Sequence, residues 1–145
     1  MTIDGSVTLV RYTGISLAIS GEEDGRDHVK TFSFAPVRGG ALEIVGHLGE
    51  AHCDECGCSG LLLECNNGIV SDLTNWEVIG SSDPFQYTPN RERFQAPCSS
   101  SSESEMNQSF GNAMTNIWTS SGEKYAWFRT ITFEGKKCNL NMYTK

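Results

Sequence analysis

The densest group of reactive side chains in this sequence is His52-Cys53-Asp54-Glu55-Cys56-Gly57-Cys58, with Cys65 seven residues further on. Thiols at this density either bridge one another or hold a metal. Zinc takes four soft ligands in a tetrahedron, and His52, Cys53, Cys56 and Cys58 offer one imidazole and three thiolates. Structural zinc sites usually draw their ligands from two separated knuckles, and here a second pair is missing unless Cys65 joins. The disulfide reading rests on count. Cys53, Cys56, Cys58, Cys65, Cys98 and Cys138 make six cysteines in 145 residues, an even number suited to an oxidising compartment. In a reducing compartment the preference between zinc and disulfides reverses. Six cysteines allow 15 connectivities. Cys56 and Cys58 are too close for an easy mutual bridge. One workable pairing joins Cys98 to Cys138 and lets the loop cysteines staple to the segment carrying Cys65. A redox Cys-x-x-Cys is disfavoured because no βαβ pattern surrounds it.

Other chemistry is sparse. No Gly-x-Ser-x-Gly, no phosphate-binding glycine loop and no His-Glu-x-x-His occurs. No carboxylate pair can be nominated for glycoside hydrolysis, so an enzyme is not expected. His28 and His47 stand alone and read as surface or packing residues. Glu22, Glu23, Asp24 and Asp27 form an acidic loop without the spacing of a calcium loop, which reads as a solvated turn. Trp76, Trp118, Trp127, Tyr87 and Tyr125 could stack on sugar rings or fill a core. Aromatic residues dominate sandwich cores, so packing competes with stacking for each of them. Tyr87 lies in an irregular stretch and is the aromatic expected at the surface, hence the ligand-binding candidate. Asn107-Gln108-Ser109 is a glycosylation sequon.

The elements that must position these residues are short β-runs. Ser6 to Tyr12 is rich in β-branched residues and stops at Thr13-Gly14. Ile15 to Ser20 alternates, which predicts Ile15, Leu17 and Ile19 on one face. Val29 to Ala35 alternates with Phe32 and Phe34 on one side, and Ala41 to His47 with Leu42 and Ile44. Gly60 to Cys65 is continuously apolar up to Glu64, as in a strand buried on both faces. Asn66-Asn67-Gly68 is a tight-turn signal, after which Ile69-Val70 starts a return. Trp76 to Ile79, Tyr125 to Phe133 and Asn139 to Tyr143 complete the set. Residues 81–109 differ. They hold three of the four prolines and a Ser/Glu run of six, Ser99 to Ser104, which suits a long surface excursion with a flexible or O-glycosylated loop. A helical turn is expected near 112–116. No long amphipathic helix and no internal repeat is visible. The pattern predicts one all-β domain over residues 1–145, a two-sheet antiparallel sandwich or jelly roll with long irregular loops.

The order of these features resembles a known family. Gly40-Ala41-Leu42-Glu43-Ile44-Val45-Gly46, then Ser59 to Glu64, then Asn67-Gly68-Ile69-Val70-Ser71-Asp72, then Trp76-Glu77-Val78 is similar to galactose-binding-domain-like β-sandwiches, as in accessory domains of rhamnosidase-type glycoside hydrolases. Asn116-Ile117-Trp118-Thr119-Ser120 and Ala126-Trp127-Phe128-Arg129 look like its closing strands, and the resemblance implies that Trp76 and Trp118 sit in the core. The likeness spans about residues 6–134 and departs at the cysteine-bearing loop, His47 to Ser59. It implies a jelly-roll module that binds glycans or packs on a partner domain, often with a structural calcium. No calcium ligands can be assigned in this chain.

Eleven basic against eighteen acidic residues give a net charge of -7, unsuited to a phosphate backbone, so nucleic acid is not an expected partner. No apolar run approaches the ~20 residues of a membrane-spanning helix. Met1 to Gly5 shows neither the basic nor the apolar region of a signal peptide, so an extracellular chain here implies a mature fragment or an excised module. Two expectations result for a secreted, disulfide-bonded protein. One is a non-catalytic, lectin-like module whose partners are glycans. The other is a structural subunit that polymerises with copies of itself into a glycoprotein filament or matrix. A zinc-stabilised domain is the third.

Overall fold

A computed structural model describes residues 6–17, 20–21, 30–33, 40–47, 59–65, 70–99, 117–119, 123–130 and 137–144. These form eleven strands: β1 (Ser6–Tyr12), β2 (Ile15–Ser16), β3 (Ser20–Gly21), β4 (Lys30–Ser33), β5 (Leu42–His47), β6 (Ser59–Cys65), β7 (Trp76–Ser81), β8 (Cys98–Ser99), β9 (Ile117–Trp118), β10 (Tyr125–Thr130) and β11 (Lys137–Thr144). The helical content among the described residues is one 3-10 turn, Arg91–Arg93. All pairings are antiparallel. One sheet has the order β2-β1-β5-β10-β7, the other β3-β4-β11-β6-β9-β8.

The core lies between the sheets. Val10, Leu42, Ile44, Trp76, Val78 and Phe128 come from the five-stranded sheet, and Phe32, Leu61, Leu63, Cys65, Ile117 and Trp118 from the six-stranded one. Trp118 meets Phe128 edge-on across the gap at 5.5 Å, and Phe128 meets Trp76 at 6.5 Å. The all-β sandwich expected from alternation is therefore the fold. Trp76 and Trp118 are core residues, each giving its indole N–H to a carbonyl: Trp76 to Val70 and Trp118 to Glu123.

Local chemistry accounts for the connections. Thr13 and Gly14 both have positive φ, 52° and 81°, which gives the two-residue hairpin turn whose twist matches its strands. A bulge between Val7 and Leu9 shifts the alternation, so Val7 and Val10 both reach the core although three residues apart. Gly60 to Cys65 is buried throughout, as the apolar run predicts. Val70 returns antiparallel opposite Glu64. Ser71 then exchanges two hydrogen bonds with the Leu63 backbone, and the Asp72 carboxylate accepts from the Thr74 and Asn75 amides to turn the chain into β7.

Three expectations are corrected. Ile15 is 70% exposed while Leu17 packs against the core, because the tight turn makes β2 an edge strand of two residues; Ile19 lies outside the described residues. Within the excursion expected over 81–109, the described residues 81–99 are less formless than their composition suggests. Gln95 bridges to Val78, the 3-10 turn is capped by the Asn90 side chain, and β8 begins at Cys98. The third concerns Cys98 and Cys138 and is taken up with the other cysteines. Phe34, the turn at 66–68 and the segment 112–116 lie outside the described residues.

Candidate functional site

Strand alternation sends every second side chain of the five-stranded sheet away from the core. On β10 these are Tyr125, Trp127 and Arg129, and on β5 Glu43, Val45 and His47. The registers arrange them in rows across the sheet. Arg11, Glu43, Arg129 and Glu77 form a row of alternating charge. Leu9, Val45, Trp127 and Ile79 form an apolar row, and His47 and Tyr125 sit beside it. The outer face of a solvated sheet is ordinarily polar. This one carries an aromatic and aliphatic band.

The charged row anchors the band. Arg11 grips Glu43 in two parallel bonds, Nε to Oε1 and Nη2 to Oε2, both 3.0 Å. That fork geometry is the strong form of a carboxylate contact. Glu43 Oε2 also accepts the Trp127 indole N–H at 2.8 Å. The Arg11 guanidinium lies 5.0 Å from the Trp127 ring centroid, within cation–π range. Two connected bonds and a ring contact therefore fix the tryptophan's orientation. On the far strand, Glu77 lies 3.6 Å from both Arg129 and Arg91, an ionic contact too long for a hydrogen bond.

The loop after β7 covers part of this face. Ser81 Oγ accepts the Asp83 amide and starts the turn. Phe85 stands edge-on to Trp127 at 5.5 Å and 85°. Thr88 accepts a 3.3 Å bond from Arg11. Beside it, His47 stacks on Tyr125 at 4.3 Å and 13°. Between loop and sheet is an open groove of about 440 Å³, walled by Leu9, Val45, His47, Phe85, Tyr125 and Trp127. Small-ligand sites combine this kind of apolar, aromatic wall with a few placed polar groups. The groove offers the half-buried rings of Tyr125, His47 and Phe85, with Trp127 itself packed against Phe85 and only 4% exposed, and the Arg11–Glu43–Thr88 network beside it.

Comparison of the chain with protein-family models, with curated proteins and with solved structures gave no match.

Tyr87, the aromatic singled out by its irregular context, is 82% exposed. It lines a neighbouring depression of about 450 Å³ that shares Pro84 and Phe85 with the groove. A third cavity, about 420 Å³, lies near Glu92 and Glu123 and holds Phe94 but neither tryptophan nor tyrosine. Its carboxylate Glu123 is engaged by the Thr119 hydroxyl. Cys65 is buried in the core and Cys98 is half-buried. The pairing of Cys98 with Cys138 fails on topology. Their strands, β8 and β11, are separated by β9 and β6, and three strand spacings amount to about 14 Å, twice the Cα reach of a disulfide. His52, Cys53, Cys56, Cys58, Asn107 and the acidic residues 22–27 lie outside the described residues. Among the described residues no group of three or more His, Cys, Asp or Glu is placed to hold a metal, so none is assigned to calcium.

Sequence reasoning missed His47, Phe85, Arg11 and Glu43, and did not choose between core and surface for Trp127 and Tyr125. The available signal was the parity of Ala41 to His47 and Tyr125 to Thr130. Taking Ile44 and Phe128 as core residues puts Val45, His47, Tyr125 and Trp127 on the opposite face, where apolar side chains call for a partner.

Proposed function

We propose that this protein is a non-catalytic, extracellular carbohydrate-binding module whose glycan site is the aromatic groove on the outer face of its five-stranded sheet. The observation that supports the reading is the half-buried Tyr125–Phe85–His47 wall, backed by the buried Trp127, beside a preorganised Arg11–Glu43 network. Aromatic faces receive the apolar side of a sugar ring, and a polar network takes its hydroxyls. Neutral sugars also suit a molecule of net charge -7. Tyr87, on the same loop as Phe85, extends the contact to a second sugar unit. The disulfides and the Asn107 sequon belong to the same extracellular reading.

Glycan-array binding competed by a free sugar tests this directly. Tyr125→Ala removes a half-buried ring from the wall and is expected to weaken binding about tenfold, the equivalent of about 1.4 kcal/mol of lost stacking. Its circular dichroism should be unchanged. Absence of binding to every glycan, together with concentration-dependent polymers in electron micrographs, would replace this reading with a self-assembling filament or matrix subunit.

A further inference from the structure

We propose a disulfide topology in which Cys65 bonds Cys138 across adjacent strands and Cys98 bonds one cysteine of the Cys53–Cys58 loop. Cys65 is disulfide-bonded and fully buried in the core. The register of β6 and β11 runs unbroken from Ser59–Thr144 to Cys65–Cys138, so Cys138 is the residue directly opposite Cys65. Opposite residues of an antiparallel pair share a sheet face.

The kind of pair matters as well. Leu63 turns both its N–H and its C=O to Ser71, at 3.0 and 2.9 Å. Its backbone groups therefore point away from β11, and Leu63–Leu140 is a non-hydrogen-bonded pair. Cys65–Cys138 lies two residues on and has the same parity. Such pairs bring Cα atoms to about 4.5 Å with the side chains close, inside the range a disulfide spans.

Cys98 is also disulfide-bonded. Cys138 is beyond its reach, as shown above. So is Cys65. Ser99 pairs with Ile117 and Ile117 with Leu61, so Cys65 lies two strands over and four residues along from the level of Ser99. Those offsets are about 10 Å and 13 Å. Cys53, Cys56 and Cys58 are the remaining partners. This arrangement takes a thiolate from the His52, Cys53, Cys56, Cys58 set and so removes its tetrahedral zinc site.

Each closure converts two thiols to one S–S bond with release of two protons and two electrons. The acceptor is a disulfide oxidant, whose own S–S bond is reduced to two thiols. Tryptic cleavage alone leaves Cys53 to Cys65 on one peptide, but a glutamate-specific protease also cuts after Glu50, Glu55 and Glu64. The experiment is mass spectrometry of protein prepared without reductant, alkylated, denatured and digested with both enzymes. The expected result is Cys65–Glu77 joined to Cys138–Lys145, and Phe94–Glu103 joined to Ala51–Glu55 or Cys56–Glu64. A link from Cys65 to the 53–58 loop, a link from Cys98 to Cys138 or Cys65, or recovery of Cys65, Cys98 or Cys138 as an alkylated thiol would overturn the assignment.

Discussion

Glu43 is the residue on which the outer face turns. It is 7% exposed on a face that should be wet, and three donors converge on its two oxygens. Removing one partner of a desolvated pair costs more than the pair itself contributes, because the other charge stays behind. Glu43→Ala should therefore lower the unfolding free energy by about 3 kcal/mol in a urea titration. Arg11 is more exposed, so Arg11→Ala should cost less. If the groove is the proposed glycan site, both should weaken glycan binding, Glu43→Ala by releasing the Trp127 indole and Arg11→Ala by removing the ring contact. Gly40 sets a different constraint. A Cβ there would lie 2.6 Å from Tyr12 Cζ and 2.8 Å from Thr13 Oγ1. Since the Tyr12 ring is buried, Gly40→Ala should destabilise by about 2 kcal/mol through overpacking, read as a lower midpoint with an unchanged denaturant slope.

The β1–β2 hairpin shows how an element depends on two backbone angles. Thr13 is a β-branched residue at φ 52°, a region that disfavours it, and its hydroxyl compensates in part by accepting the Ala41 amide at 3.3 Å. Thr13→Asn creates the Asn-Gly dipeptide preferred in this turn and should stabilise by about 0.5 kcal/mol. Gly14→Ala has open space for its methyl but the wrong φ, and should cost about 1 kcal/mol. Thermal midpoints of the two variants should move in opposite directions. At the other side of the same sheet, Gln95 pairs with Val78 in both directions at 2.8 Å. That pairing occupies an otherwise open edge, which limits edge-to-edge association.

At the scale of the whole molecule, the two sheets are joined mainly by apolar contact, with Trp76, Trp118 and Phe128 at its centre. A Cys65–Cys138 bond would act within one sheet but close a chain loop of more than seventy residues between β6 and the last strand. In the chain-entropy model such a closure contributes about 4 kcal/mol. Replacing both cysteines by serine should accordingly move the urea midpoint far more than any single surface change, and added reductant should then have less further effect on the variant than on the wild type.

Period-two hydrophobicity determined the all-β class and most strand positions, and a family-like order of motifs put Trp76 and Trp118 in the core. Those depend on local alternation and on the need to bury large rings, which any pairing of the strands would satisfy. Ile15 shows the limit: its alternation was right in kind, yet a two-residue edge strand leaves it in solvent. The outer groove was beyond local reading. It arises because registers set Leu9, Val45 and Trp127 in one row and Arg11, Glu43 and Arg129 in the next, from three strands distant in the chain. The cysteines follow the same rule. Their number suggested bridges, but which sulfurs can meet is decided by strand order. Cys65 and Cys138 are 73 positions apart in sequence and directly opposite in the sheet, whereas Cys98 and Cys138, the pair that looked natural along the chain, are separated by two intervening strands.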